Sequence, residues 1–111
     1  PVVEAFRRGL AEVAPVISKG TVADGLDVPA AIMGHGMLRV LRESGGTAVA
    51  VDEEAISSAF RRFGTAGVNA GYESAATLAG LIALREAGAI PDRSRVLLLA
   101  TGSQLIPLSR A

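Results

Sequence analysis

The chain of 111 residues has no cysteine and no tryptophan, and it has one histidine, one tyrosine and one lysine. The absence of cysteine excludes disulfides, thiolate catalysis, iron–sulfur ligation and zinc ribbons. With His35 as the single histidine, two-histidine metal sites and most histidine-driven catalytic triads are excluded as well. We therefore expect no metal site in this chain.

Charge of one sign and long apolar runs are also lacking. Eleven basic side chains balance eleven acidic ones, which gives no electrostatic attraction for nucleic acid or an anionic membrane. The longest unbroken apolar run is five residues, 96–100, where a membrane-spanning helix needs about 20. The N-terminus has no signal-peptide pattern. These features predict a cytoplasmic protein that binds neither nucleic acid nor membranes.

The apolar content is nearly all alanine, valine, leucine and isoleucine. Hydrophobic residues make up 50% of the chain, aromatic residues only 4%, and the mean hydropathy is +0.41. Such a composition excludes intrinsic disorder. The length suits one domain with a small core.

Hydrophobic periodicity predicts helices that alternate with short strands. The predicted helices cover residues 2–10, 32–43, 52–64 and 72–88, and the predicted strands cover residues 47–51, 67–70 and 95–100. Asp52 is the predicted N-cap of the third helix. Strands that alternate with helices of ten or more residues favour parallel βαβ units. The expected fold class is α/β, a partial open parallel sheet flanked by helices.

Thr101 and Gly102 follow the most apolar predicted strand. Ligands of open parallel sheets bind beyond the carboxyl ends of the strands. A threonine hydroxyl can donate or accept a hydrogen bond, and glycine lets a ligand approach the backbone closely. The alternative is a plain turn in which the hydroxyl bonds to its own backbone.

Several blocks of sequence resemble the fold-type II pyridoxal-phosphate-dependent enzymes, and among them the threonine synthases most closely. The blocks are PVVEAF (1–6), TVADGL (21–26), LRESGGTAVAVDEEAI (41–56), SAATLAG (74–80) and VLLLATG (96–102). The resemblance extends over nearly the whole chain, and the order and spacing of the blocks carry it. It implies that the chain is part of a three-layer αβα fold.

The resemblance also implies a site for pyridoxal phosphate. Thr101 matches the family hydroxyl that faces the pyridine nitrogen, and Gly102, Gly71 and Ser74 are the other positions expected to bind the cofactor. A neutral hydroxyl in this place suits eliminations and replacements at the β or γ carbon. No residue of this chain is expected to be catalytic.

The cofactor-anchoring parts of the family are missing. Members hold the cofactor through a Schiff-base lysine and a glycine-rich phosphate loop, both upstream of the matched region, and the surroundings of Lys19 do not resemble the lysine segment. We therefore expect residues 1–111 to be the C-terminal part of the large pyridoxal-phosphate-binding domain, inactive in isolation and without covalently bound cofactor. The expected partners are the missing N-terminal part, a second copy in a full-length homodimer, and a small amino-acid substrate.

Two departures from the family pattern put the reaction type in question. A Glu-Pro pair is replaced by Gly71 and Tyr72, so an acidic group near the cofactor ring is lost unless Glu73 replaces it. The tail at residues 103–107 lacks the usual glycine, lysine and aspartate.

The resemblance implies a lyase that, at full length, converts O-phosphohomoserine to threonine and phosphate. A threonine dehydratase or serine racemase relative is one alternative, which the TVADG segment at residues 21–25 favours. In that segment Asp24 is interpreted as an Asx turn before Gly25 rather than a cation ligand. The other alternative is a non-catalytic α/β module that binds a partner through its apolar helix.

Overall fold

Four α-helices and one short 3₁₀ helix account for the regular structure of residues 1–103, the part of the chain that the computed structural model describes. The elements are α1 (Val2–Arg7), the 3₁₀ helix (Asp24–Leu26), α2 (Gly34–Glu43), α3 (Glu53–Thr65) and α4 (Tyr72–Glu86). The chain divides into two compact units. The first contains Pro1–Gly20 and Asp27–Ala50, and the second contains Thr21–Leu26 and the chain from Val51 onward.

In the first unit α1 packs against α2. Leu38 of α2 is 1% exposed and is the largest buried side chain of this unit. Gly34, at the start of α2, lies so close to Val13 that an added Cβ would be 2.8 Å from a Val13 methyl carbon. Further along α2, the Arg42 guanidinium donates to the Leu10 carbonyl oxygen at 2.6 Å. Gly34, through its close approach to Val13, and Arg42, through its hydrogen bond to Leu10, thus join α2 to the segment that follows α1.

Local signals define both ends of α3, in the second unit. The Asp52 carboxylate accepts the Ala55 N–H at 2.8 Å, which confirms the predicted N-cap and satisfies one of the amides that a helix start leaves unpaired. At the other end Gly67 has a φ of +74°, a conformation that glycine adopts without strain. The Val68 N–H then returns to the Phe63 carbonyl oxygen at 2.9 Å. This hydrogen bond closes the C-terminal turn of the helix.

Small residues let α3 and α4 pack closely. The buried core of the second unit consists of Ile56 and Ala59 from α3 and Ala75 and Ala79 from α4. Alanine at three of these four positions brings the helix backbones close together, since no bulky side chain separates them. Around this core the rings of Phe60 and Tyr72 stack with centroids 4.4 Å apart. The first turns of both helices, which carry the candidate site, therefore stand on a close-packed base.

The predicted partial open parallel sheet is wrong for the described residues, which contain helices and no strands. Gly67 lies in the turn that ends α3, and residues 68–70 have no regular structure, with the Ala70 N–H donating to the Val68 carbonyl oxygen. Residues 47–51 and 95–100 are irregular. A strand needs a neighbouring strand to pair its backbone groups, and among residues 1–103 no strand forms in any of the three segments. Side chains expected to lie inside a sheet are accordingly exposed, with Leu97 at 86% and Leu99 at 67%.

None of the helices in residues 1–103 is long and apolar enough to cross a membrane. The longest of them, α4, has 15 residues. The tail at residues 103–107, where the sequence lacks the glycine, lysine and aspartate that are usual in the family, lies outside the described residues except for Ser103.

Candidate functional site

Three of the predicted site residues, Gly71, Ser74 and Gly102, meet at the N-terminus of α4. The Gly71 N–H donates to the Gly102 carbonyl oxygen at 2.9 Å. The Ser74 hydroxyl donates to the same carbonyl oxygen at 3.1 Å and accepts the Gly102 N–H at 3.2 Å. Although Ser74 and Gly102 are 28 residues apart in sequence, these hydrogen bonds attach the end of the 95–102 segment to the first turn of α4.

The fourth predicted residue, Thr101, differs from Ser74 in its exposure. Ser74 is completely buried, at 0% exposure. Its hydroxyl both donates a hydrogen bond to Gly102 and accepts one from it. Ser74 therefore anchors Gly102 within the protein. Thr101 is exposed and is covalently joined to the anchored Gly102, so this residue lies close to the start of α4 on the protein surface. The assignment of these residues to cofactor binding stays a prediction.

The Glu73 carboxylate fills the space that three glycines leave open. Its Oε1 accepts the Gly25 N–H at 3.2 Å. A Cβ added to Gly25 would lie 3.1 Å from Oε1, and a Cβ added to Gly71 or Gly102 would lie 3.0 or 3.3 Å from Oε2. From the first turn of α4 the carboxylate thus reaches two other parts of the chain, the Thr21–Leu26 loop and the segment that ends at Gly102.

A second carboxylate, that of Glu53 in the first turn of α3, holds the same loop. Its Oε2 accepts the Val22 N–H at 2.8 Å, and the Thr21 hydroxyl is hydrogen-bonded to it as well. The hydrogen bond from Thr21, followed by that from Val22, lowers the pKa of Glu53 below its usual value, against smaller opposing effects of desolvation and the Asp52 charge. Both hydrogen bonds favour the ionised carboxylate.

Three other residues singled out in the sequence lie on the protein surface. Lys19 and His35 are exposed and belong to the first unit. Asp24 is exposed at the start of the 3₁₀ helix. Residues 1–103 contain no group of three or more histidine, aspartate or glutamate side chains that could hold a metal ion.

Sequence reasoning missed the role of Glu53. In the sequence it is one of two glutamates after the Asp52 cap, where acidic side chains commonly stabilise a helix start. Its partner Val22 lies 31 residues upstream, and no local pattern indicates that contact.

Comparison with known proteins assigns the chain to a family. Residues 1–102 match the family described as pyridoxal-phosphate dependent enzyme. The chain belongs to this family. It is also 32% identical, over 106 residues, to the threonine synthase of Methanosarcina acetivorans, and the matched region covers 95% of this chain and 26% of that protein. The chain thus spans about a quarter of the length of this relative. The family resemblance and the pyridoxal-phosphate cofactor predicted from the sequence are confirmed.

The site fits one side of a pyridoxal phosphate. Thr101 is an exposed residue with a neutral hydroxyl, a group that could hydrogen-bond to the ring nitrogen. Gly102 is partly exposed, and it brings backbone rather than a side chain to the surface beside that hydroxyl. Lys19, the one lysine of the chain, is exposed and belongs to the first unit.

Proposed function

We propose that this chain forms the C-terminal part of the large cofactor-binding domain of a threonine synthase-like lyase. At full length the enzyme would convert O-phosphohomoserine and water to threonine and phosphate, as a cytoplasmic homodimer. The similarity to a threonine synthase over 95% of the chain supports the substrate class. The attachment of Gly102 to Ser74, which holds the exposed Thr101 in place, is the structural observation that carries the proposal.

Each residue of the site has a distinct part in this proposal. When bound, pyridoxal phosphate supplies an electron sink for bond cleavage next to the substrate amino group. The Thr101 hydroxyl holds the ring nitrogen by a hydrogen bond without adding a charge. Ser74 and Gly71 hold Gly102, and through it Thr101, by hydrogen bonds to its backbone. The lysine and the phosphate-binding loop come from the N-terminal part of the enzyme.

The proposal is tested on Thr101 in the complete enzyme. We expect Thr101→Ser to keep the visible absorbance of the bound cofactor and the release of phosphate from O-phosphohomoserine. Thr101→Ala removes one hydrogen bond, so we expect it to weaken cofactor binding about tenfold and to shift the visible spectrum. The matched control is Ser103→Ala, which deletes a neighbouring hydroxyl and should change neither quantity.

The same assay separates the alternatives. Formation of a keto acid and ammonia from threonine or serine, without phosphate release from O-phosphohomoserine, would instead identify a dehydratase-like enzyme, which the TVADG segment favours. A complete protein that binds no pyridoxal phosphate, or a Thr101→Ala variant that binds it with unchanged affinity and spectrum, would contradict the proposed site.

A further inference from the structure

We propose that Glu73 is a positioning residue that couples the Thr21–Leu26 loop to Thr101 and Gly102 at the candidate cofactor site. This inference rests on the proposed function in taking Thr101 as the cofactor contact. The coupling itself rests on the contacts of one carboxylate of α4 with two other segments of the second unit, the loop at Gly25 and the segment that ends at Gly102. Thr101 is the residue expected to touch the cofactor, and Glu73 acts through the backbone of its neighbour Gly102.

The first step of the argument is the hydrogen bond from the loop. The Gly25 N–H donates to Oε1 of Glu73 across 48 residues of sequence. A hydrogen bond to an ionised carboxylate is about twice as strong as one between neutral groups. Glu73 therefore adds a charge-assisted attachment between the loop and the first turn of α4.

The second step is the position of the other carboxylate oxygen. Oε2 lies close to the backbone of Gly71 and Gly102. A Cβ built on Gly71 would be 3.0 Å from this oxygen, and a Cβ built on Gly102 would be 3.3 Å from it. Contacts this short mean that a side chain on either glycine would displace the carboxylate. The Glu73 side chain thus lies between Gly25 of the loop and the backbone of Gly102. We expect a movement of the loop to reach Gly102 through it.

The third step is that the loop has two independent attachments. Glu53 holds it at Val22, and Glu73 holds it at Gly25. Loss of Glu73 leaves the Glu53 attachment in place, so the end of the loop nearest Gly102 should loosen while the fold is retained. The expected defect is local and lies beside the cofactor site.

The experiment compares Glu73 variants of the complete enzyme, with and without added pyridoxal phosphate. In Glu73→Ala we expect amide hydrogen exchange in a peptide spanning residues 21–26 to become about tenfold faster. Glu73→Gln keeps an acceptor oxygen of the same reach and should restore most of the protection. Glu86→Ala, which removes a carboxylate from the opposite end of α4, is the matched control and should exchange like the wild type.

Cofactor affinity provides the second measurement. Glu73→Ala should weaken pyridoxal-phosphate binding several-fold and shift the visible spectrum in the same direction as Thr101→Ala. If Glu73 acts through Thr101, the double variant should bind no more weakly than Thr101→Ala alone, because effects in one chain of contacts are not additive. Faster loop exchange with wild-type cofactor affinity and spectrum, or fully additive losses, would overturn the inference.

Two further results keep the outcomes distinct. If the wild type itself binds no pyridoxal phosphate, the proposed function fails, whereas a normal wild type with an unaffected Glu73→Ala variant overturns this inference alone. If Glu73→Ala does not fold, Gly25→Ala carries the same test, since its Cβ would press on Oε1 from 3.1 Å. Unchanged exchange and affinity in Gly25→Ala would then count against the coupling.

Discussion

At the scale of single residues, two hydroxyls close to Gly102 have different environments and therefore different roles. Ser74 is fully buried, and its hydroxyl forms hydrogen bonds with the N–H and the carbonyl oxygen of Gly102. Thr101 is exposed. The family resemblance predicts that both belong to the same site, because a motif indicates only which residue types are present. Burial decides which hydroxyl is accessible to a ligand and which one anchors the backbone.

We expect Ser74→Ala to loosen the Gly102 attachment. The Gly102 carbonyl oxygen keeps its bond from the Gly71 N–H, but the Gly102 N–H loses its acceptor. An unsatisfied backbone donor of this kind costs about 1–3 kcal/mol. Faster amide exchange at Gly102 and a lower urea midpoint would show the loss.

Thr77→Ala is the control for the Ser74 variant. It removes another hydroxyl of α4, whose hydrogen bond at 2.7 Å goes to the Ser74 carbonyl oxygen within the same helix. Since the helix keeps its backbone hydrogen bonds, Thr77→Ala should leave exchange at Gly102 unchanged. Equal effects of the two variants would argue that Ser74 has no special role at Gly102.

At the scale of elements, helix positions follow from short-range signals. The four observed α-helices lie within two or three residues of the predicted ones, and the Asp52 cap of α3 is confirmed in its hydrogen bond. A cap involves residues three positions apart, so the sequence contains all the information needed. Helix ends at positive-φ glycines, such as Gly45 after α2 and Gly88 after α4, are equally local.

Removal of the α3 cap is expected to destabilise the second unit. Asp52→Ala leaves the Ala55 N–H without its acceptor and should lower the free energy of unfolding by about 1 kcal/mol. Asp52→Asn keeps an acceptor oxygen and should recover most of that loss. Asp92→Ala removes an exposed aspartate from a turn and controls for charge alone. A urea denaturation series on the three variants measures the differences, and equal midpoints for Asp52→Ala and wild type would refute the assigned cap.

The attachment of the Thr21–Leu26 loop to α3 should depend on pH. Hydrogen bonds from Thr21 and Val22 lower the pKa of Glu53 in the folded state. Its contribution to stability is therefore fully present above the pKa of an unfolded glutamate, about 4.3, and is lost as pH falls through the lower folded pKa. We expect Glu53→Gln to reduce the loss of stability between neutral and acidic pH, as measured by urea midpoints.

Glu54, the next carboxylate in the same first turn of α3, is the matched control for this pH dependence. Glu54→Gln changes the charge at the helix start by the same amount, and it leaves the hydrogen bonds of Glu53 in place. The variant should therefore keep the wild-type slope of stability against pH. A Glu53→Gln slope equal to that of Glu54→Gln would mean that the loop attachment contributes nothing to the acid sensitivity.

At the scale of the whole molecule, the described residues bury small side chains and leave many large apolar ones exposed. Six of the eight buried hydrophobic residues are alanine, the others being Leu38 and Ile56. By contrast, Ile17, Ile32 and Leu97 are each more than 80% exposed. The apolar runs at residues 47–51 and 95–100, which predicted strands, thus form no strands in the described residues.

The sequence by itself determined the helices, the cap of α3, the pyridoxal-phosphate family and the residue types of the candidate site. Each of these depends on neighbours a few positions apart or on the order of motifs along the chain. Tertiary structure alone decided that the apolar runs form no sheet among residues 1–103, that Ser74 anchors Gly102, and that Glu73 reaches Gly25. Strand pairing and contacts across 28 or 48 residues require partners that local pattern does not specify, because their formation depends on how the helices pack.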